Sequence, residues 1–314
     1  MKKLSLFKLI ISMTAFGTIG LFVRLIDAER GFIASVRGIV GALFLALLVL
    51  LLKKKPCLQA IKKNLTLLIL SGAAIGVNWI LLFESYSYTS IATSTLCYYM
   101  APVFVILVSP LLLGERITLK KGIAVATALI GMLFVSGVLE AGGAGSTDFI
   151  GVLLALGAAV FYATVTVLNK KMSDISPYDM TIVQLATAGI VVLPYTFLAE
   201  NNDLAALDPT AILMLIIVGV VHTGICYALY FSSIQELEAQ TVAIFSYLDP
   251  IVAVAISFFV DGAMSPLAII GALLILAALI LCEINLGQKK NTDSAEQNID
   301  LISTEQNCDS VDVE

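Results

Sequence analysis

The chain has 314 residues, 59% of them hydrophobic and 13% charged, against about 45–50% apolar and about 25% charged in soluble domains. A mean hydropathy of +1.00, sustained from Leu9 to Leu286 rather than carried by one segment, excludes a water-soluble single fold. The net charge of −5 comes from the carboxyl-terminal tail: residues 285–314 hold seven acids and two lysines, leaving 16 acids and 16 bases elsewhere, with no basic stripe for nucleic acid.

Ten apolar runs follow one another at about 8–26, 33–52, 65–87, 91–113, 119–138, 149–169, 180–199, 211–233, 239–260 and 266–285. Each is near the roughly 20 residues a helix needs to cross a bilayer. None shows the ten-residue alternation of barrel strands. The predicted fold class is an all-α integral membrane protein with ten transmembrane helices. The first run follows Lys2, Lys3 and Lys8, but no small-x-small cleavage site separates it from Arg24, so it reads as a retained helix.

Orientation comes from lysine and arginine, which favour the cytoplasmic side of short loops. An inside amino terminus puts 15 of the 18 basic residues on inner segments. The outer segments 140–148 and 200–203 then carry acids and no bases. Both termini are expected in the cytoplasm, in a multi-pass protein of the plasma membrane. Residues 287–314 are too polar to bury a core and are expected to form a disordered acidic tail.

The stretch 88–102 can be laid over 236–250 at an offset of 148, pairing Thr93 with Thr241, Tyr99 with Tyr247 and Pro102 with Pro250. Helices one and six align through Phe16 and Phe161, and helices two and seven through Arg37 and Gln184. The chain therefore divides into five-helix repeats over 1–140 and 149–286, joined by an extracytoplasmic linker over 141–148. Five is odd, so the second repeat enters the membrane from the opposite side. Two inverted repeats make alternating access the default mechanism.

The run Ser90-Ile-Ala-Thr-Ser-Thr-Leu96, ending in Tyr99-Met-Ala-Pro102, then Leu113-Gly-Glu-Arg116 and Gly131, resembles the drug/metabolite transporter superfamily, specifically its ten-helix EamA-type members. The second repeat departs from the motif, with Val260-Asp261-Gly262 after helix nine and Asp249 before Pro250. The resemblance covers about residues 1–286. It implies a carrier of small organic molecules, a central cavity walled by helices one to four and six to nine, and peripheral helices five and ten. It further implies that Phe16, Trp79, Tyr98, Tyr99, Tyr162 and Tyr247 form an aromatic box around an amphipathic solute; packing aromatics at helical spacing are the alternative. Tyr99 and Tyr247 are favoured because the repeat matches them.

The intramembrane polar residues each carry two readings. Arg37 is either an anchor reaching the headgroups or, with its repeat partner Gln184, a clamp for a carboxylate in the cavity. Asn78, beside Trp79, has no reason to face lipid and joins the binding candidates. Glu84 is either an ion-pair partner of Arg24 or Arg37 or a proton carrier, and Asp249 either organises the proline break or carries a proton. His222 is either an interhelical hydrogen-bonding residue or a proton relay. Pro102 and Pro250 are hinge candidates. Small residues in helices five and ten, among them Gly131 and Gly271, serve either packing or homodimerisation.

No Walker-type loop and no Gly-x-Ser-x-Gly elbow occurs, and a single histidine with no Cys-x-x-Cys pair offers no metal site. No cofactor is expected. The expected function is that of a secondary transporter, read as an exporter of amino acids or similar small amphipathic metabolites. A channel or a non-transporting membrane receptor is the alternative, with an intramembrane enzyme less favoured.

Overall fold

The computed structural model of the protein describes residues 2–53, 55–89, 91–135, 138–139, 149–200, 207–261 and 266–284, and every regular element among them is helical. The expected linker and acidic tail lie outside the described residues. In chain order the elements are α1 (Lys2–Val23), α2 (Arg30–Leu51), α3 (Leu58–Tyr88), α4 (Ile91–Tyr98), α5 (Ala101–Leu113), α6 (Leu119–Val135), α7 (Phe149–Lys171), α8 (Pro177–Ala199) and α9 (Pro209–Ile217). A π-helical stretch (Val218–Ile225) then leads into α10 (Cys226–Glu236), α11 (Ala239–Phe245), α12 (Leu248–Asp261) and α13 (Pro266–Ile284). Each of the ten apolar runs is helical over most of its described residues. The fourth is built of α4 and α5, the eighth of α9, the π-helical stretch and α10, and the ninth of α11 and α12.

The helices overshoot their apolar runs at the lysine-bearing ends. α1 begins at Lys2 rather than residue 8, and α3 at Leu58 rather than 65. Lysine is a good helix former whose stem lies along apolar surface while its ammonium stays wet, so helix continues past the hydrocarbon-length run. Leu111, Leu119, Phe197 and Leu198 stand almost fully exposed around the bundle, a surface suited to lipid and not to water. Beyond the end of α7, Lys63 Nζ lies 2.6 Å from Asp174 Oδ2, and this contact holds the Asp174 carboxyl below the usual carboxylate range.

The two sets of five spans interlock. α3 packs on α7 and α8, and the repeat-equivalent eighth span packs on α1 and α2. The fourth span packs on α7, and the ninth packs on α1. Each of these contacts has a mate in which the repeats are exchanged, as an in-plane two-fold axis requires. Equivalent spans meet each other where α2 packs on α8, α5 on α11 and α6 on α13. The packed groups are therefore not the sequence repeats: one comprises α1, α2 and the eighth and ninth spans, the other α3, the fourth span, α7 and α8.

Close approach of α6 and α13 depends on glycine. A Cβ added at Gly131 would lie 2.7 Å from the Gly271 carbonyl oxygen. Ala124, Ala128 and Ala278 are also buried, so much of the small-residue stripe of the fifth and tenth spans is consumed within the chain.

Candidate functional site

The spans bearing Pro102 and Pro250 are broken at equivalent points. Pro102 lies in the first turn of α5 and Pro250 in the first turn of α12. A proline has no N–H, so the carbonyls of Tyr98 and Ser246 lose the donors a continuous helix would supply. The backbone tightens instead, with Met100 N–H donating to Cys97 O at 3.1 Å and Asp249 N–H to Ser246 O at 3.3 Å. The sequence suggests kinks; the structure has breaks between separate helices. Tyr98, Tyr99 and Pro102 on one span and Ser246 and Asp249 on the other line a common cavity.

That cavity has a volume of about 330 Å³ and lies toward the carboxyl-terminal ends of α1 and α3. Of the predicted binding residues, Phe16, Arg37, Trp79, Tyr98, Tyr99 and Tyr162 line it, as do His222 and Asp249. The structure places the others elsewhere. Asn78 Nδ2 donates to Ala158 O at 2.6 Å, bolting α3 to α7. Gln184 Nε2 donates to Asn169 Oδ1 at 2.5 Å, and Ser71 Oγ donates to the same oxygen at 3.0 Å, which ties α8, α7 and α3 together. Gln184 and Arg37 are therefore not brought together as a clamp. Glu84 accepts from Tyr195 Oη at 2.8 Å rather than lining the cavity. Tyr247 is fully buried and its hydroxyl donates to Tyr99 O at 3.0 Å, so the repeat-matched tyrosines touch each other while only one faces the cavity.

Arg37 turns inward instead of toward headgroups. Its guanidinium carbon stands 4.2 Å from the Trp79 ring centroid, and Nε has no hydrogen-bond partner. Among the described residues no carboxylate forms an ion pair with it. Arginine costs about 2.5–3.5 kcal/mol at the centre of a span, an upper bound for Arg37, which lies in the first part of α2. A desolvated cation–π contact returns about 2 kcal/mol, which offsets much of that cost. Asp249 faces the cavity from α12 beside Tyr99.

His222 sits in the π-helical stretch, where Thr223 Oγ1 donates to Val218 O five residues back at 2.9 Å. Thr18 Oγ1 gives its one proton to Ala15 O at 2.7 Å, so at 2.9 Å it accepts from His222 Nε2. His222 therefore both bridges the eighth span to α1 and lines the cavity.

Sequence reasoning missed Tyr86, Tyr227 and Tyr230, which also line the cavity. Tyr227 meets Phe16 edge-on at 5.2 Å and Trp79 at 6.3 Å, while the Tyr162 and Tyr230 hydroxyls lie 2.6 Å apart. The spacing Tyr227, Tyr230, Phe231 marks one helical face and was the available signal.

The opposite end of the bundle is tied together by polar contacts. The N-cap residue of α11, Glu238, makes no side-chain cap; Glu115 does so from the end of the fourth span, accepting Ala239 N–H at 2.6 Å and Gln240 N–H at 3.1 Å. Gln240 Nε2 reaches Ser109 Oγ at 2.6 Å. Lys170 donates to Ile234 O at 3.1 Å and also to Leu237 O, and Lys8 reaches Ser232 at 3.0 Å. Ser5 pairs with Glu236, and Lys121 with Glu238.

This architecture is shared. A solved crystal structure superposes with a TM-score of 0.80 over 90% of this chain and 96% of its own, at 15% identity, a likeness of fold alone. An uncharacterized transporter of Bacillus subtilis, YxxF, is 27% identical over 96% of each chain. A protein of Escherichia coli named "probable amino-acid metabolite efflux pump" is 27% identical over 57% of this chain and 62% of its own. The model of the EamA-like transporter family matches twice, over residues 3–137 and 149–283. The chain is thus a multi-pass membrane protein of a family of transporters rather than enzymes, and it belongs to the EamA-like transporter family.

Proposed function

We propose that the protein is a secondary carrier that exports amino acids or similar small amphipathic metabolites across the plasma membrane by alternating access. The observation that carries this reading is the asymmetry of the bundle: an aromatic cavity toward one end and a dense set of interhelical hydrogen bonds at the other. A channel needs a path through both ends; a carrier needs one end closed at a time. The lysine bias puts both termini in the cytoplasm, which makes the sealed end cytoplasmic and the conformation outward-facing. Phe16, Trp79, Tyr98, Tyr99 and Tyr162 form the apolar walls of the binding site, and Pro102 and Pro250 mark where the broken spans pivot. Asp249 and His222 are the cavity groups placed to take part in proton coupling. The relative named as an amino-acid metabolite efflux pump supports the solute class.

The test is counterflow. Proteoliposomes loaded with a pool of unlabelled metabolites are expected to accumulate trace labelled solute transiently, saturably and only when the solute is also inside. Linear, unsaturable entry would contradict a carrier.

A further inference from the structure

We propose that the cavity selects zwitterions, reading the anionic end of the solute with Arg37 and its cationic end with Asp249. This deepens the carrier reading above and rests on it. Both residues line one chamber of about 330 Å³, yet among the described residues neither forms an ion pair. Each instead meets an aromatic side chain from the other packed group of helices: Arg37 lies over the Trp79 face, and Asp249 lies beside Tyr99. Tyr98 and Tyr227 line the same chamber. The two ionisable groups therefore share the chamber without pairing with each other.

A buried ionisable group without a counter-charge favours a ligand that brings one, because the incoming charge stabilises its ionised form. A solute with one charge would satisfy one pole and leave the other buried and unpaired; a zwitterion satisfies both and leaves the net charge of the chamber unchanged. A volume of about 330 Å³ falls at the small end of the roughly 300–1,000 Å³ range of small-molecule pockets. The lining contributed by Phe16, Trp79 and Tyr162 suits an apolar side chain between the poles.

The experiment is thermal unfolding of the purified full chain in nanodiscs, titrated with L-leucine and L-phenylalanine, each beside its amide, which lacks the anion, and its N-acetyl form, which lacks the cation. At least one zwitterion is expected to raise the unfolding temperature, with both of its singly charged derivatives needing about tenfold or more higher concentration for the same shift. Arg37→Gln is expected to bring zwitterion and amide level, and Asp249→Asn to bring zwitterion and N-acetyl form level. A singly charged derivative that stabilises the native protein as well as its parent, or no stabilisation by either zwitterion, would overturn the proposal without recourse to any variant. If these arms fail while counterflow persists, the charge poles fall and the carrier stands. Binding without counterflow would strike the carrier reading alone.

Discussion

Arg37 and Trp79 show how a single contact sets the character of the chamber. An arginine in a helix is ordinarily expected to stretch toward water, and this one is held over an indole face with Nε unpaired. Trp79→Leu removes the π face while keeping an apolar side chain, and is expected to lower stability by about 1–2 kcal/mol, with Trp79→Phe losing about half as much. Unfolding in mixed micelles measures both. Equal losses would mean that packing volume, not the ring's charge distribution, holds the guanidinium. The sequence marks Arg37, Trp79 and Tyr98 as candidates because each is costly or conspicuous in an apolar run. It does not say which way they face. Gln184 has the same credentials and bolts three helices together instead, because Asn169 and Ser71 surround it. Polarity within a span shows that a partner must exist, not whether the partner is a neighbour or a solute.

At the scale of elements, the recurring device is a carboxylate borrowed from another span to cap a helix whose own N-cap residue makes no bond. Glu115 does this for α11, and Glu200 does it for α2, accepting Gly31 N–H at 2.7 Å and Phe32 N–H at 2.9 Å. Glu115 bridges the fourth and ninth spans at the end away from the cavity, so its cap also joins them. Glu115→Ala leaves two N–H groups without their acceptor, at a cost of about 1 kcal/mol to the closed arrangement. It is expected to raise the fraction of molecules open to the cytoplasm about fivefold, measured as labelling of a cysteine at Ser246 by an impermeant thiol reagent from that side in a background without native cysteines. No change in labelling would make Glu115 a cap and nothing more. The positions of the ten spans are legible from apolar run length alone. The breaks at Tyr99–Met100 and Ser246–Tyr247 are foreshadowed only by the prolines that follow them. The π-helical stretch has no comparable sequence mark, because its register is set where Gly219 and Gly224 pack against α2.

Across the whole molecule, the inverted repeat predicts more than a count of helices. The repeats interlock, and the mixed groups meet where α2 packs on α8 and α5 on α11. A two-fold axis in the membrane plane means that exchanging the conformations of the repeats turns the chamber over. Residues facing it in one state should then be replaced by their repeat mates in the other. Thr95 lines the cavity here, whereas Ala243, its mate at an offset of 148, is buried. The most direct measurement introduces Thr95→Cys and Ala243→Cys separately into a cysteine-free carrier in sealed vesicles of known orientation and labels each with an impermeant reagent from either side. The cysteine at position 95 is expected to react only from the outer face and the one at 243 only from the cytoplasmic face, with solute altering both rates in opposite directions. Reaction of both from one face, or a position 243 that never reacts while solute continues to exchange, would contradict alternating access by exchange of the repeats.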